Sequence, residues 1–347
     1  MEMSGQLPAT FVKGFHNEDL VRRMEYRPLG NTGLKVSKIA FGAATLSGLF
    51  DSDNFKFDKE EGIRAVQEAI KSGINYIDTA PFYGQGRSEQ ILGEALKDVP
   101  REAYYLATKV GRYELVAERM FDFTEKKTRE SLEKSFKLLR LDAVDVLQVH
   151  DVDAAPSLDM VLNETIPVLE EYVKAGKARF IGITGYDLDI LKECADRGKG
   201  RIQLVLNYAR YTLLDNTLHR FMRDFQGLNV GVICAAAHAL GLLSNAGSQI
   251  KHPGSKELQD VAIRGAEICK QRGVELGKLA MYHTMQLDGA ATFLIGIPNR
   301  HMLQINLDAI FNGLTPNEQE VLQYLRKNVF TKSYSWGSTL SYINDFK

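Results

Sequence analysis

Residues 38–44 read Lys38-Ile39-Ala40-Phe41-Gly42-Ala43-Ala44, a short β-prone run that closes in small residues. An open, doubly wound dinucleotide sheet carries GxGxxG at the end of its first strand. This run lacks it. The nearest approach, Gly84-Gln85-Gly86-Arg87-Ser88-Glu89, has Glu in its sixth place, follows the second strand and reads as turn chemistry; no GxxxxGK[ST] occurs. Outward from residue 38, further candidate strands fall at Asn75–Ala80, Tyr104–Val110, Val144–Val149, Arg179–Thr184, Gln203–Asn207, Val230–Cys234 and Ala291–Ile297. Between them lie amphipathic segments such as Lys59–Lys71, Glu125–Leu139, Leu162–Lys174 and Glu257–Gln271, with apolar residues at helical spacing. Unbroken β-α alternation calls for a parallel sheet with helical crossovers. Eight strands without the open-sheet fingerprint predict an α/β fold of the closed (β/α)8 TIM barrel type. Upstream, Tyr26 to Val36 places Gly30-Asn31-Thr32-Gly33 between β-prone runs and predicts an N-terminal β-hairpin.

With 44% hydrophobic and 25% charged residues, the 347-residue chain has the make-up of a globular protein, and barrels of this size form one domain. Residues 1–24 read as a polar extension and 25–347 as the barrel with its C-terminal tail. The 43 basic and 44 acidic side chains nearly cancel, which argues against nucleic acid or anionic membrane as partners and for a small molecule. Monomer or weak oligomer is expected. Cys194, Cys234 and Cys269 show no CxxC spacing, so neither a disulfide framework nor a zinc cluster is expected. Met1 to Met24 has no apolar signal core, and the apolar stretch 230–243 is interrupted by His238 and falls short of the ~20 residues of a membrane span. A reducing, cytoplasmic location is expected.

Barrels of this kind do their chemistry at the C-terminal ends of the strands. There the second strand offers Asp78, with Tyr83 just beyond. The third offers Lys109, and the fourth closes Gln148-Val149-His150-Asp151. A phenol of pKa ~10 exchanges protons poorly at neutral pH. A nearby ammonium is expected to lower that value, with a carboxylate holding the ammonium. A histidine can polarise a substrate oxygen. Singly, each residue has an ordinary structural alternative, such as a helix cap, a strand-end lysine or a core aromatic. Jointly, at three successive strand ends, they point to an acid–base site. A metal at His150-Asp151-Val152-Asp153 lacks a second histidine cluster and is not expected.

The chain resembles the aldo-keto reductases in 30–37 (GNTGLKVS), 73–80 (GINYIDTA), Tyr83-Gly84, Ala107-Thr108-Lys109, Leu141-Asp142 through His150, and Gly182-Ile183-Thr184-Gly185. These pieces run in order over residues 24–315. Within the family it looks most like the L-galactose dehydrogenase and aldose 1-dehydrogenase branch, through Gly111-Arg112-Tyr113, His150-Asp151, 180–185 (FIGITG) and 210–215 (RYTLLD). The resemblance implies a catalytic tetrad of Asp78, Tyr83, Lys109 and His150 and an NAD or NADP cofactor, with NAD slightly favoured.

For the cofactor it implies Gly42, Ala43, Ala44 and Asp78 near the reacting end. Thr184 and Gly185 replace the usual Ser-Asn pair at the carboxamide, and Tyr208 replaces the usual glutamine. The stacking aromatic aligns with Ala235, so Tyr208 is the candidate ring face. The pyrophosphate loop corresponds to Ala237, His238, Leu240, Gly241 and Leu243, and the adenosine end to Gly296, Asn299, Met302 and Asn306. Arginine at the position of Met302 and an acid at that of Ile305 are missing, which leaves Arg300 to meet a 2′-phosphate. Arg112, Tyr113, Asp151 and Arg210, together with His238, are the expected sugar contacts. Further substrate groups are expected from loops 112–122, 151–157 and 244–255 and from the tail 330–346. The implied activity is oxidation of an aldose such as L-galactose at C1 to a lactone. The alternatives are a general aldehyde/ketone reductase or a nicotinamide-binding regulatory subunit with little turnover.

Overall fold

The computed structural model describes residues 7–51, 56–248 and 250–336. Eight parallel strands close a barrel: β1 (Ile39–Gly42), β2 (Tyr76–Asp78), β3 (Tyr105–Val110), β4 (Val146–Val149), β5 (Phe180–Gly185), β6 (Leu204–Tyr208), β7 (Gly231–Ala235) and β8 (Thr292–Gly296). β8 pairs with both β7 and β1, which completes the ring. Every expected strand forms, with ends moved by one to two residues. β2 is the shortest because Asn75 leaves the sheet to bind Ser37 and Lys35, while Thr79 and Ala80 turn into the rim. Helices Lys59–Lys71 and Glu125–Leu139 have the expected bounds, each capped by a side chain, Asp58 and Thr124. The segment expected as one helix from Leu162 is regular only over Ile166–Lys174. A wide turn, Val161–Thr165, precedes Pro167, which has no N–H to continue a regular ladder.

The period-2 alternation of each strand decides what the barrel encloses. Tyr105 and Ala107 of β3 pack with Ala40, Tyr76, Val146, Leu204, Leu206 and Ile233 inside it, whereas Leu106 and Val110 pack outward on the helices. The same alternation carries Lys109 inward at the top of β3 and, one strand over and in register with it, Gln148.

The opposite end is sealed. The hairpin pairs Tyr26–Pro28 with Lys35–Ser37, and Leu29, Leu34 and Val36 enter the interior cluster. Gly30 (φ 53°) makes this possible, since a Cβ there would stand 2.3 Å from the backbone nitrogen of Gly231. The segment before the hairpin is packed rather than trailing. Helix Glu18–Arg23 buries Val21, Met24 joins the main core, and the Thr10 hydroxyl accepts from Asn75. Residues 1–6 and the tail from 337 lie outside the described residues. Among the described residues, the C-terminal end of the barrel is the end that the hairpin leaves open. Among the described residues, no helix is long and apolar enough to cross a membrane.

Candidate active site

Pro81 ends the β2 extension and Gly84 (φ 62°) turns the chain tightly past the Ser47 carbonyl oxygen, which brings Tyr83 back over the rim. Asp78 and Lys109 are each 1% exposed and form a buried ion pair through Oδ1 and Nζ. The ammonium also donates to the Thr79 carbonyl at 2.8 Å and to the Tyr83 hydroxyl at 3.3 Å. His150 stands across the phenol, ring centroids 5.8 Å apart and nearly perpendicular. The four residues expected to act together therefore converge.

The electrostatics differ from expectation at one point. Burial raises the Tyr83 phenol above its ordinary value, and the pull of Lys109 only partly offsets it, because Asp78 pushes the same way as burial. Tyr83 is thus held as a neutral acid, where a lowered value was expected. Burial disfavours the Lys109 ammonium, yet Asp78 and Tyr83 outweigh it and the net shift is upward. Burial, then Lys109 and Arg112, pushes His150 well below its usual range, so the imidazole is neutral. Its Nδ1 finds no hydrogen-bond partner among the described residues.

Gln148 is a member that motif reasoning missed. It is fully buried and donates Nε2 to Asp78 Oδ2 at 2.7 Å, so both carboxylate oxygens are held. Strand alternation was the signal that marks it, since it shares the inward register of Lys109.

The expected substrate residues divide. Arg112 NH1 donates to Asp151 Oδ2 at 2.8 Å, and its guanidinium lies 3.9 Å from the Phe82 ring centroid. Asp151 Oδ2 is 3.8 Å from His150 Nε2, which places this pair against the reacting edge. Tyr113 points elsewhere. Its hydroxyl accepts from the Gly111 N–H, and Lys127 of helix Glu125–Leu139 lies over its ring. Arg210 is a tie between loops: Nε donates to the Tyr186 carbonyl, NH2 to the Trp336 carbonyl, and NH1 faces Asp215 at 3.6 Å.

The expected cofactor residues form one arc, from β5 round to β1. Gly42 of β1 is in register with Gly296 of β8, and Ala235 of β7 with Tyr208 of β6. Ala43 and Ala44 begin the short helix after β1. Gly42, Ala235 and Gly296 carry little or no side chain, so small residues line this stretch of the rim. Tyr208 borders it, tilted against Tyr186 at 4.9 Å. The Thr184 hydroxyl is bonded to Asp151, accepting from its N–H at 2.9 Å. A side chain at 185 would meet Asp153 Oδ1, 2.9 Å from the place a Cβ would take.

Beyond β7, Ala236, Ala239 and Leu240 all adopt left-handed backbone, a strain that such loops keep at functional sites. In that loop Ala237 and Leu243 are buried, Gly241 (φ 84°) turns the chain, and a His238 ring nitrogen is engaged with the Gly277 carbonyl at 3.1 Å. Asn299 caps helix Arg300–Asn312 by accepting from the Met302 N–H. One turn further on, buried Asn306 holds an Nδ2 with no partner among the described residues, a donor suited to a purine nitrogen. Arg300 is held by Glu61. A rim lined by small residues, an amide donor without a partner among the described residues and a helix N-terminus along one arc fit a nicotinamide dinucleotide. Among the described residues, no group of three His, Cys, Asp or Glu side chains is placed to hold a metal.

Residues 38–326 match the Aldo/keto reductase family. The L-galactose dehydrogenase of Arabidopsis thaliana is 38% identical over 291 residues, covering 83% of this chain and 88% of that one. The D-arabinose 1-dehydrogenase of Saccharomyces cerevisiae is 27% identical over 324 residues, covering 87% and 94%. An aldo-keto reductase from Bacillus halodurans, solved in its holo form, superposes with a TM-score of 0.66 at 28% identity, over 87% of this chain and 96% of that one. The match over residues 38–326, the 38% identical relative and the closed eight-stranded parallel barrel place this chain in the aldo/keto reductase family of NAD(P)-dependent oxidoreductases.

Proposed function

We propose that the enzyme oxidises an aldose, such as L-galactose, at C1 to the lactone, with Asp78, Tyr83, Lys109 and His150 as its catalytic residues. The observation that carries this is the convergence of Tyr83 OH, Lys109 Nζ and a neutral His150 beside the polar Arg112–Asp151 wall. An anomeric hydroxyl can give its proton to the ionised Tyr83 phenolate, a form that burial disfavours and Lys109 supports, while the His150 imidazole holds the same oxygen. A nicotinamide held there would supply the hydride acceptor for C1. Arg112 and Asp151, a donor and an acceptor fixed on each other, offer a ring hydroxyl both halves of a hydrogen bond. In the reverse direction Tyr83 protonates a carbonyl oxygen. Thr184, Tyr208, residues 237–243, Gly296, Asn299, Met302 and Asn306 would hold the dinucleotide. NAD is favoured over NADP. Three buried free thiols suit a cytoplasmic place of work.

A panel of free aldoses and simple aldehydes, run with NAD+, NADP+ and their reduced forms, tests this. Aldose oxidation is expected. Activity confined to aldehyde reduction would leave a general reductase, and tight cofactor binding without turnover would leave the regulatory alternative.

The pH dependence follows from Tyr83. The oxidation must remove a proton to a phenol whose ionised form burial disfavours, so kcat/KM for oxidation should climb from neutral into alkaline pH. Reduction uses the protonated phenol and should stay level through neutrality, because His150 is already neutral there. An oxidation rate that falls as pH rises would contradict Tyr83 as the base.

A further inference from the structure

Helix Lys59–Lys71 follows β1 and helix Arg300–Asn312 follows β8, so the pairing of β8 with β1 sets their N-terminal ends side by side. There the Glu61 carboxylate occupies the start of the second helix. Its Oε1 accepts from the Arg300 backbone N–H at 3.2 Å and from Nε at 2.9 Å, and Oε2 accepts from NH2 at 3.1 Å and from Arg64 Nε at 3.2 Å. The hydrogen bonds hold Glu61 far below the usual carboxylate range, at about 2. It is therefore an anion at every working pH.

A helix N-terminus with an arginine beside it is a phosphate site in its own right, and loops after the last strands of such barrels commonly serve as one. Here an internal carboxylate already takes those donors. A ribose hydroxyl can donate to a carboxylate, whereas a phosphate dianion next to it meets like charge and finds the guanidinium occupied.

We infer that Glu61 is a specificity-determining residue: by chelating Arg300 at the head of helix Arg300–Asn312 it excludes a cofactor carrying a 2′-phosphate and admits one carrying a free 2′-hydroxyl. The inference rests on the proposed placement of the adenosine end against that helix. It adds that the discrimination comes from a residue on the helix after the first strand. The missing arginine at Met302 is not the sole cause, since a usable arginine is present and held away.

Direct titration of NAD+ and NADP+, followed by tyrosine and tryptophan fluorescence quenching, tests this without turnover. Wild type, Glu61→Gln and the double variant Glu61→Gln/Arg300→Ala are compared, with thermal unfolding to verify that each folds. Wild type is expected to bind NAD+ more tightly. Glu61→Gln should shift the ratio of the two dissociation constants toward NADP+ by about 10- to 100-fold, the worth of one charge-assisted contact. The double variant should lose that gain, because Arg300 supplies it. 2′,5′-ADP should follow NADP+, and 5′-ADP should follow NAD+. An unchanged Kd ratio in Glu61→Gln, with both cofactors still binding, overturns the role of Glu61 and leaves the cofactor site standing. Failure of wild type to bind either cofactor overturns the site itself and the inference with it.

Discussion

Tyr83→Phe is expected to lower kcat at least about 100-fold while cofactor affinity stays at the wild-type level, the loss typical of one general acid–base group. The phenyl ring keeps the packing, since Tyr83 meets Phe82 and His150 ring against ring and Lys109 lies 4.9 Å from its centroid. What disappears is the hydroxyl that Lys109 reaches at 3.3 Å. His150 does not substitute for it, because burial keeps that imidazole neutral and a poor donor of a full proton. Steady-state rates with the best aldose, alongside a fluorescence titration of the cofactor, give both quantities. Turnover near wild type would remove Tyr83 from the chemistry.

Lys109→Met should reduce kcat on a similar scale and, unlike Tyr83→Phe, should also destabilise the fold. Asp78 and Lys109 are both about fully buried and bonded to each other, so deleting the ammonium leaves a carboxylate at the barrel centre with only Gln148 on its second oxygen. Breaking a buried pair in this way costs about 3–5 kcal/mol. Replacing Asp78 by Asn in the same chain should recover much of that stability without restoring turnover, because the unpaired charge is gone and the tuning of Tyr83 is not returned. Chemical denaturation of the wild type, Lys109→Met and Asp78→Asn/Lys109→Met measures it. A Lys109→Met protein as stable as wild type would mean that water reaches Asp78.

The barrel and the four convergent residues were legible because their signals are local. Strand periodicity, a strand-end position and a residue type suffice to place Asp78, Lys109 and His150 on one rim. The rest was hidden because it depends on partners remote in sequence. Arg300 meets Glu61 across 239 residues, and Arg210 reaches Trp336 across 126. From composition alone either arginine is a free donor on a loop. Tyr113 gave the same false signal, since nothing local shows that its hydroxyl folds back onto Gly111. The left-handed backbone at Ala236, Ala239 and Leu240 was equally silent, because alanine is not the residue that marks such geometry. The Tyr83 phenol illustrates a different limit. The identity of its neighbours was readable, whereas the balance between burial and Lys109 was not, and burial prevails.

Gly185 and Asp153 constrain each other. Asp153 Oδ1 stands 2.9 Å from where a Cβ at 185 would be, and its Oδ2 accepts the Tyr186 and Asp187 N–H groups at 3.2 Å. A side chain at 185 would press on that carboxylate, and an alanine at 153 would strip two backbone donors of their acceptor. The two positions are coupled by contact, so library screens that vary 185 alone should return mostly glycine, and the effects of joint changes at 153 and 185 should not add.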